Sequence, residues 1–264
     1  MLLQDRNGAI LTVTLNLPEK RNPISDSAMV DALCAAMEAA DRDMAVRCVI
    51  LTGAGSAFSS GGDLKQMRAD AGGLRSGNPV ETRRNYKYGI QRLPLLFQSL
   101  EVPVVAAVNG HAIGAGLDLA TMCDVRVAGE SAKFAESFVK LGIIPGDGGA
   151  WFLPRIIGFA RATELALTGE MIDAAEALRI GLVTHVVPDG ELLPKAQEIA
   201  AKIAANPPHA VRMTKRLLRE AQTADLKNIL EMSAAMQALG HTTADHEEAI
   251  DAFNEKRRPV YRGE

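Results

Sequence analysis

Three short apolar segments constrain the fold of this chain more than any other feature. Ala9 to Asn16, Val46 to Thr52 and Val102 to Val108 are rich in β-branched residues, which predicts strands. Residues 26–41, between the first two, carry apolar side chains at helical spacing. Strands that are apolar along their whole length are buried on both faces. The alternation therefore predicts an α/β fold around a buried sheet.

The last third of the chain differs in composition. From residue 190 onward it is almost wholly helix-forming, with breaks at 206–208 and at Gly240. We predict two units, an α/β core over 1–189 and a helical region over 190–264. The helical region is more apolar than a thin surface layer requires, which predicts burial against another subunit. Residues 66–82 combine glycines with scattered charges and predict a loop.

Composition excludes several classes of protein. The three cysteines lie in apolar stretches and the histidines have no ligand spacing with them, so we expect reduced thiols and no metal site. A net charge of −3 and a pI near 6.0 argue against nucleic-acid binding. No apolar run approaches the ~20 residues of a membrane span, and residues 4–7 are polar where a signal peptide is apolar. We expect a cytoplasmic protein that binds no membrane.

Two glycine-bearing loops, 53–64 and 109–119, follow predicted strands. In each, small residues precede an aspartate (Asp63, Asp118) and a helix-like run, which leaves backbone N–H groups open to an oxyanion. A plain strand-to-helix turn explains either loop taken alone. The chain lacks the dinucleotide fingerprint, the Gly-Lys-Ser/Thr phosphate loop and the Gly-x-Ser-x-Gly elbow of serine hydrolases.

Over essentially its whole length the sequence resembles the enoyl-CoA hydratase/isomerase (crotonase) superfamily. The segments that carry the resemblance are SGGDL (60–64), VVAAVNGHAIGAG (104–116), MCD (122–124), AKF (132–134), LGIIPGDGG (141–149), LTG (167–169), ALRIGLV (177–183) and FNEKR (253–257). The resemblance implies a spiral core of ββα units, a C-terminal helical trimerisation region and a homotrimer or dimer of trimers. It also implies an acyl-CoA substrate, with coenzyme A arriving as part of the substrate and no separate cofactor.

The resemblance places the two backbone donors of an oxyanion hole at Gly62 and Ala115. These donors would hydrogen-bond the thioester oxygen as negative charge develops on it. Coenzyme A would run along the loop before Asp63, with its adenine near Gly61 to Leu64.

The pattern Phe253-x-x-Lys256 matches family residues that reach the nucleotide bound by a neighbouring subunit. Lys20 and Arg21 are either phosphate contacts or a solvated charge pair, and the residues alone favour the solvated pair.

The chain departs from the hydratase pattern at one of two acidic positions. Typical hydratases carry glutamate at both, and here Asp118 stands at the first and Phe138 at the second. Glu136 is expected to point elsewhere if residues 136–140 form a helical turn. Asp147 is the candidate replacement acid, or else the N-cap of a helix that starts near Gly149. Asp118 is a catalytic candidate, or else a buried polar residue near a helix start.

A site with one working carboxylate favours proton transfer between two carbons, so isomerisation of an enoyl-CoA is the leading hypothesis. Hydration comes second, and a hydrolase or ring-altering lyase third, because one oxyanion hole supports several reactions. A hypothesis of another class is an acyl-CoA-binding protein without catalysis.

Overall fold

The computed structural model describes residues 1–68 and 73–264 and contains two β-sheets. The larger sheet has the strand order β1-β2-β3-β5-β7-β10 and the smaller one the order β4-β6-β8-β9. The strands are β1 (Leu2–Asn7), β2 (Ile10–Leu15), β3 (Cys48–Gly53), β4 (Ala57–Ser59), β5 (Val104–Val108), β6 (His111–Ile113), β7 (Val125–Gly129), β8 (Lys133–Ala135), β9 (Met171–Asp173) and β10 (His185–Val187). All three predicted strands are confirmed, as β2, β3 and β5.

The helices are α1 (Ser27–Arg42), α2 (Pro79–Tyr88), α3 (Arg92–Ser99), α4 (Ala115–Met122), α5 (Gly149–Ile157), α6 (Phe159–Thr168), α7 (Ala174–Arg179), α8 (Leu192–Ala204), α9 (Pro208–Glu220), α10 (Leu226–Gly240) and α11 (Ala244–Asn254). The side chain of Asp26 caps α1 by accepting a hydrogen bond of 2.8 Å from the Ala28 N–H. The breaks predicted at 206–208 and at Gly240 separate α8 from α9 and α10 from α11.

The two sheets arise from one repeated unit. β3 and β4, β5 and β6, and β7 and β8 are consecutive pairs in which the first strand joins the larger sheet and the second joins the smaller one. A helix follows each pair, and equivalent strands of successive pairs run parallel. The fold is therefore the predicted spiral of ββα units, and the ends of β4 and β6 lie side by side.

The predicted loop over 66–82 is wrong at its end. Helix α2 starts at Pro79, because Asn78 caps it through a 2.9 Å hydrogen bond from the Val80 N–H and proline suits a first helical turn. Residues 69–72 of that loop lie outside the described residues. Strand β1 was missed, since its side chains past Leu2 are exposed and carry no apolar pattern.

Helix α8 covers one face of the larger sheet. Its buried residues Leu192, Ala196 and Ala200 pack with Ile10 and Ile50 of β2 and β3. The predicted helical region thus begins with a helix that packs on the core, while α10 packs on α9. Cys34, Cys48 and Cys123 are buried free thiols. Within 1–68 and 73–264, no helix is long and apolar enough to cross a membrane.

Candidate active site

The two glycine-bearing loops meet because β4 and β6 pair in parallel. Gly61 follows β4 with a φ of 80°, in the left-handed region that favours glycine. A Cβ at Gly61 would overlap the Ile113 carbonyl oxygen and lie 3.0 Å from the Ala115 nitrogen. Only glycine allows this approach, which brings Gly62 next to the start of α4.

Gly62 and Ala115, the predicted oxyanion-hole residues, line one cavity of about 730 Å³. Ala115 is the first residue of α4, so no carbonyl of the helix accepts its N–H. Among the described residues, the Gly62 N–H likewise donates no hydrogen bond. The geometry thus leaves two backbone donors open at a helix N-terminus, where the helix dipole favours negative charge.

The wall of this cavity carries four basic and two acidic side chains, and two of the predicted coenzyme A residues lie in it. Asp63 and Leu64 line it, and the Asp63 N–H donates a 3.0 Å hydrogen bond to Ser25 Oγ, which fixes the loop. Lys20 and Arg21 line it too. The sequence alone favoured a solvated pair for these two, and only the fold shows that they face the same space as Gly62.

The other two predicted coenzyme A residues lie far along the chain, around the end of α11. Phe253 is 84% exposed and Lys256 has a φ of 57° in the turn that follows the helix. Neither lines the cavity of Gly62 within one subunit. Their contact with a nucleotide of a neighbouring subunit therefore stays a prediction.

Three acidic side chains are buried behind the oxyanion-hole residues. Asp118 is 0% exposed in the first turn of α4, Glu136 is 1% exposed just after β8, and Asp147 is 4% exposed just before α5. Both oxygens of Asp118 and of Glu136, and Oδ1 of Asp147, are buried without a hydrogen-bond partner among the described residues. Buried polar groups are normally paired, so an unpaired group of acids is a candidate for function.

Asp118 and Glu136 touch each other. A Cβ at Gly149 would overlap both Asp118 Oδ1 and Glu136 Oε1, so the two oxygens share the space beside one glycine. Burial raises the pKa of Asp118 well above its usual range, and the Glu136 and Asp147 carboxylates raise it further. Burial also raises the pKa of Glu136. Two carboxyls in such contact form a hydrogen bond only when one of them is protonated.

The prediction that Glu136 points elsewhere is wrong. The short 3-10 helix begins only at Phe138, so Glu136 directly follows β8 and is not part of a helical turn. Side chains two apart on a strand share a face, and Phe134 is buried as well. That spacing is the sequence signal from which the position of Glu136 is predictable.

Phe138 replaces the second hydratase glutamate with an aromatic ring in the cavity wall. The ring packs on Gly114, where a Cβ would lie 3.6 Å from Phe138 Cζ, and both residues line the cavity of Gly62. Asp118 does not line this cavity, since it lies one turn below Ala115 and its N–H donates a 3.0 Å hydrogen bond to the Gly114 carbonyl. The fold therefore brings Asp118 near the oxyanion-hole residues but encloses it.

Asp147 does not cap α5. Gly148 occupies the N-cap position with a φ of 112° and no side-chain cap hydrogen bond is made there, so the capping alternative is wrong. Burial raises the pKa of Asp147 to about 7. Burial raises the pKa of Tyr86, and the nearby Asp147 carboxylate raises it further. Gln91 Nε2 holds the same loop by donating a 2.9 Å hydrogen bond to the Gly146 carbonyl.

A second cavity of about 1070 Å³ lies on the Asp147 side, lined by Tyr86, Gln91, Ile143 and Gly146. Met67 lines both cavities, and a Cβ at Gly62 would overlap its terminal methyl group. The flexible methionine thus separates the space of the oxyanion-hole residues from an apolar space large enough for an acyl chain. Within the described part of the chain, no cluster of acidic, cysteine or histidine side chains is arranged to hold a metal ion.

The spiral of ββα units, with two glycine-bearing loops joined at one cavity, is the architecture of the crotonase class. The family model described as enoyl-CoA hydratase/isomerase matches residues 5–264, and this chain belongs to that family. It is a crotonase-family acyl-CoA enzyme.

Two curated relatives have names for different reactions. The chain is 38% identical over 254 residues to the 1,2-epoxyphenylacetyl-CoA isomerase of Escherichia coli K12, which covers 96% of this chain and 95% of the relative. It is 36% identical over 262 residues to the short-chain-enoyl-CoA hydratase of Clostridium acetobutylicum, covering 97% and 95%. The solved enoyl-CoA hydratase of Bacillus anthracis superposes with a TM-score of 0.92 at 39% identity, covering 100% of this chain and 99% of the other.

Proposed function

We propose that this protein isomerises an enoyl-CoA by moving a proton between two carbons of the acyl chain. The observation that carries the proposal is the pairing of two open backbone donors in one cavity with acids buried behind it. The net reaction is balanced, since the proton removed from one carbon is returned to another.

The N–H groups of Gly62 and Ala115 bind the thioester oxygen in this proposal. When a C–H bond next to the thioester breaks, its electron pair moves into the enolate and negative charge collects on that oxygen. Donors aimed at such an oxygen are commonly worth ~3 kcal/mol each in the transition state. The methyl group of Met67 lies against the Cα of Gly62, and this unbranched side chain rotates readily to make room for an acyl group.

Asp118 or Asp147 carries the proton. Burial raises the pKa of Asp147 to about 7, so near neutral pH both of its protonation states are populated. A proton carrier works best in that range, because it must accept and donate in turn. The Asp147 loop borders the second cavity, whereas Asp118 is enclosed, so a role for Asp118 requires movement at the wall formed by Ala115 and Phe138.

Coenzyme A binds against the basic side chains in the wall of the first cavity in this proposal. Lys20, Arg21, Lys65 and Lys140 line that cavity, and cations of this kind suit the phosphates of a nucleotide. We expect Lys256 to strengthen this binding across a subunit boundary in a homotrimer or a dimer of trimers.

The test follows a 3-enoyl-CoA and, separately, a 2-enoyl-CoA in deuterated water with wild type, Asp118→Asn and Asp147→Asn. Wild type should move the double bond and incorporate deuterium, and loss of the working acid should lower the rate about a hundredfold or more. Asp5→Asn, an exposed change on β1, is the matched control and should keep full activity. Wild-type rates in both active-site variants would refute the proposal, and binding without turnover in wild type would favour a non-catalytic acyl-CoA-binding protein.

Hydration is the second candidate, and one observation favours it. Glu136 supplies a second buried carboxyl beside Asp118, although the usual second position holds Phe138. Two carboxyls can position and deprotonate a water. Fast hydration of crotonyl-CoA by wild type, together with slow isomerisation, would favour this reaction.

A further inference from the structure

The contact between Asp118 and Glu136 is unlike an ordinary pair of buried polar groups. Both side chains are enclosed, at 0% and 1% exposure, and the donor that approaches their oxygens among the described residues is the backbone N–H of Gly149, which lowers the pKa of Asp118 less than burial and the neighbouring carboxylates raise it. Oxygens of both lie where a Cβ at Gly149 would stand, so the two carboxyls come together beside this glycine. Two ionised carboxylates are both acceptors, so the contact between the carboxyls becomes a hydrogen bond only if they hold a proton between them.

The charged groups around Asp118 and Glu136 all raise the pKa values of these two carboxyls. Asp118 comes from the first turn of α4, Glu136 from the residue after β8, and Asp147 adds a third carboxyl from the loop before α5. Beyond these, Tyr86 on α2 faces Asp147. Among the described residues, the charged groups that shift the pKa of Asp118 or Glu136 are all carboxylates. No cation among them lowers either pKa.

We propose that Glu136 is a positioning residue for Asp118, and that the two carboxyls share one proton and titrate as a unit. This proposal rests on the proposed function in one respect, the assignment of proton transfer to the acids of this site. One carboxyl of the pair is ionised and the other donates the hydrogen bond to it. The pair therefore has one net charge and a fixed geometry.

The shared proton has a consequence for catalysis. When the substrate C–H bond breaks, its electron pair stays on the enolate and its proton passes to Asp118, the ionised member of the pair, while Glu136 keeps the shared proton. The proton is returned to another carbon of the enolate, and the hydrogen bond between the two carboxyls forms again. Glu136 does not touch the substrate in this step, since it acts by setting the proton affinity and the direction of Asp118.

The first experiment does not depend on turnover. Infrared difference spectra report the carbonyl stretch of a protonated carboxylic acid, and the Asp147→Asn background removes the other buried acid of the cluster. At neutral pH we expect this band in Asp147→Asn and its loss in Asp147→Asn/Glu136→Gln, because the glutamine amide donates to Asp118 and leaves it ionised. Glu136→Asp, which retains a carboxyl, should keep the band. Glu130→Gln, an exposed change nearby in sequence, should leave it unchanged.

The second experiment measures α-proton exchange of butyryl-CoA in deuterated water as a function of pH. Glu136→Gln should move the acid limb of the exchange rate to higher pH by about one unit, a tenfold change in the apparent ionisation constant, because an amide donates a weaker hydrogen bond to ionised Asp118 than the carboxylic acid of Glu136 does. A merely structural glutamate would lower the rate equally at every pH.

The two experiments separate the inference from the proposed function. A band that behaves as expected, with no exchange in any variant, sinks the proposed function and leaves the shared proton standing. An unchanged band in the Glu136→Gln double variant overturns the shared proton, whatever the activity. If that variant does not fold, a pH titration of the band in Asp147→Asn decides, because absence of a protonated acid at neutral pH also overturns it.

Discussion

Gly149→Ala tests the contact on which the carboxyl pair depends. Gly149 is the first residue of α5, and its backbone lies outside the left-handed region, so alanine is tolerated by the main chain. Alanine also favours helices over glycine by up to ~1 kcal/mol. Backbone conformation and helix propensity, taken alone, therefore predict that the substitution raises the free energy of unfolding.

The tertiary contact predicts the opposite result. The added methyl group would overlap Asp118 Oδ1 and Glu136 Oε1, and both side chains are enclosed and short of space to move. Overpacking of a buried site costs about 1–3 kcal/mol. We therefore expect Gly149→Ala to lower the free energy of unfolding by about that amount and to separate the two carboxyls.

The assay is urea denaturation at one fixed protein concentration, because the stability of an oligomer depends on concentration. Gly190→Ala is the matched control, since a Cβ there meets nothing within 4 Å and its backbone is also outside the left-handed region. The control should stay within about 0.5 kcal/mol of wild type. If Gly149→Ala is as stable as the control and keeps the wild-type pH profile, the packing argument is wrong.

Three further predictions concern buried charge and assembly. Burial raises the pKa of Asp147 to about 7, so the free energy of unfolding falls as pH rises from the usual aspartate range through 7. By urea denaturation, Asp147→Asn should be more stable than wild type by as much as ~4 kcal/mol at pH 8 and equally stable at pH 4. Burial raises the pKa of Asp124, but Lys215 and Arg219 outweigh it and hold that pKa below its usual value. Asp124→Asn should cost about 3–5 kcal/mol at pH 7 by leaving two cations unpaired, and this difference should shrink only as acid protonates the wild-type carboxylate. Phe253 is 84% exposed in one subunit, so Phe253→Ala should weaken a trimer or hexamer by light scattering, and a monomeric wild type at micromolar concentration would contradict that assembly.

The main elements and the family followed from the sequence because they depend on local patterns. Apolar β-branched runs predicted β2, β3 and β5, and helical spacing predicted α1. The family resemblance, carried by segments such as SGGDL and NGHAIGAG, placed the predicted oxyanion-hole donors at Gly62 and Ala115. These features depend on residue type and spacing, and both are given completely by the sequence.

Only the tertiary structure decided what surrounds each acid. Glu136 was misjudged because the turn after β8 begins at Phe138, two residues later than assumed. The sequence left Asp147 as either a helix cap or a catalytic acid. The structure excludes the cap, because Gly148 occupies the N-cap position of α5. The environment of a carboxyl is set by chains distant in sequence, here α4, β8 and the loop before α5. Burial and like charge therefore change the proton affinity of Asp118 in a way that no local pattern records, because both depend on which segments the fold brings into contact.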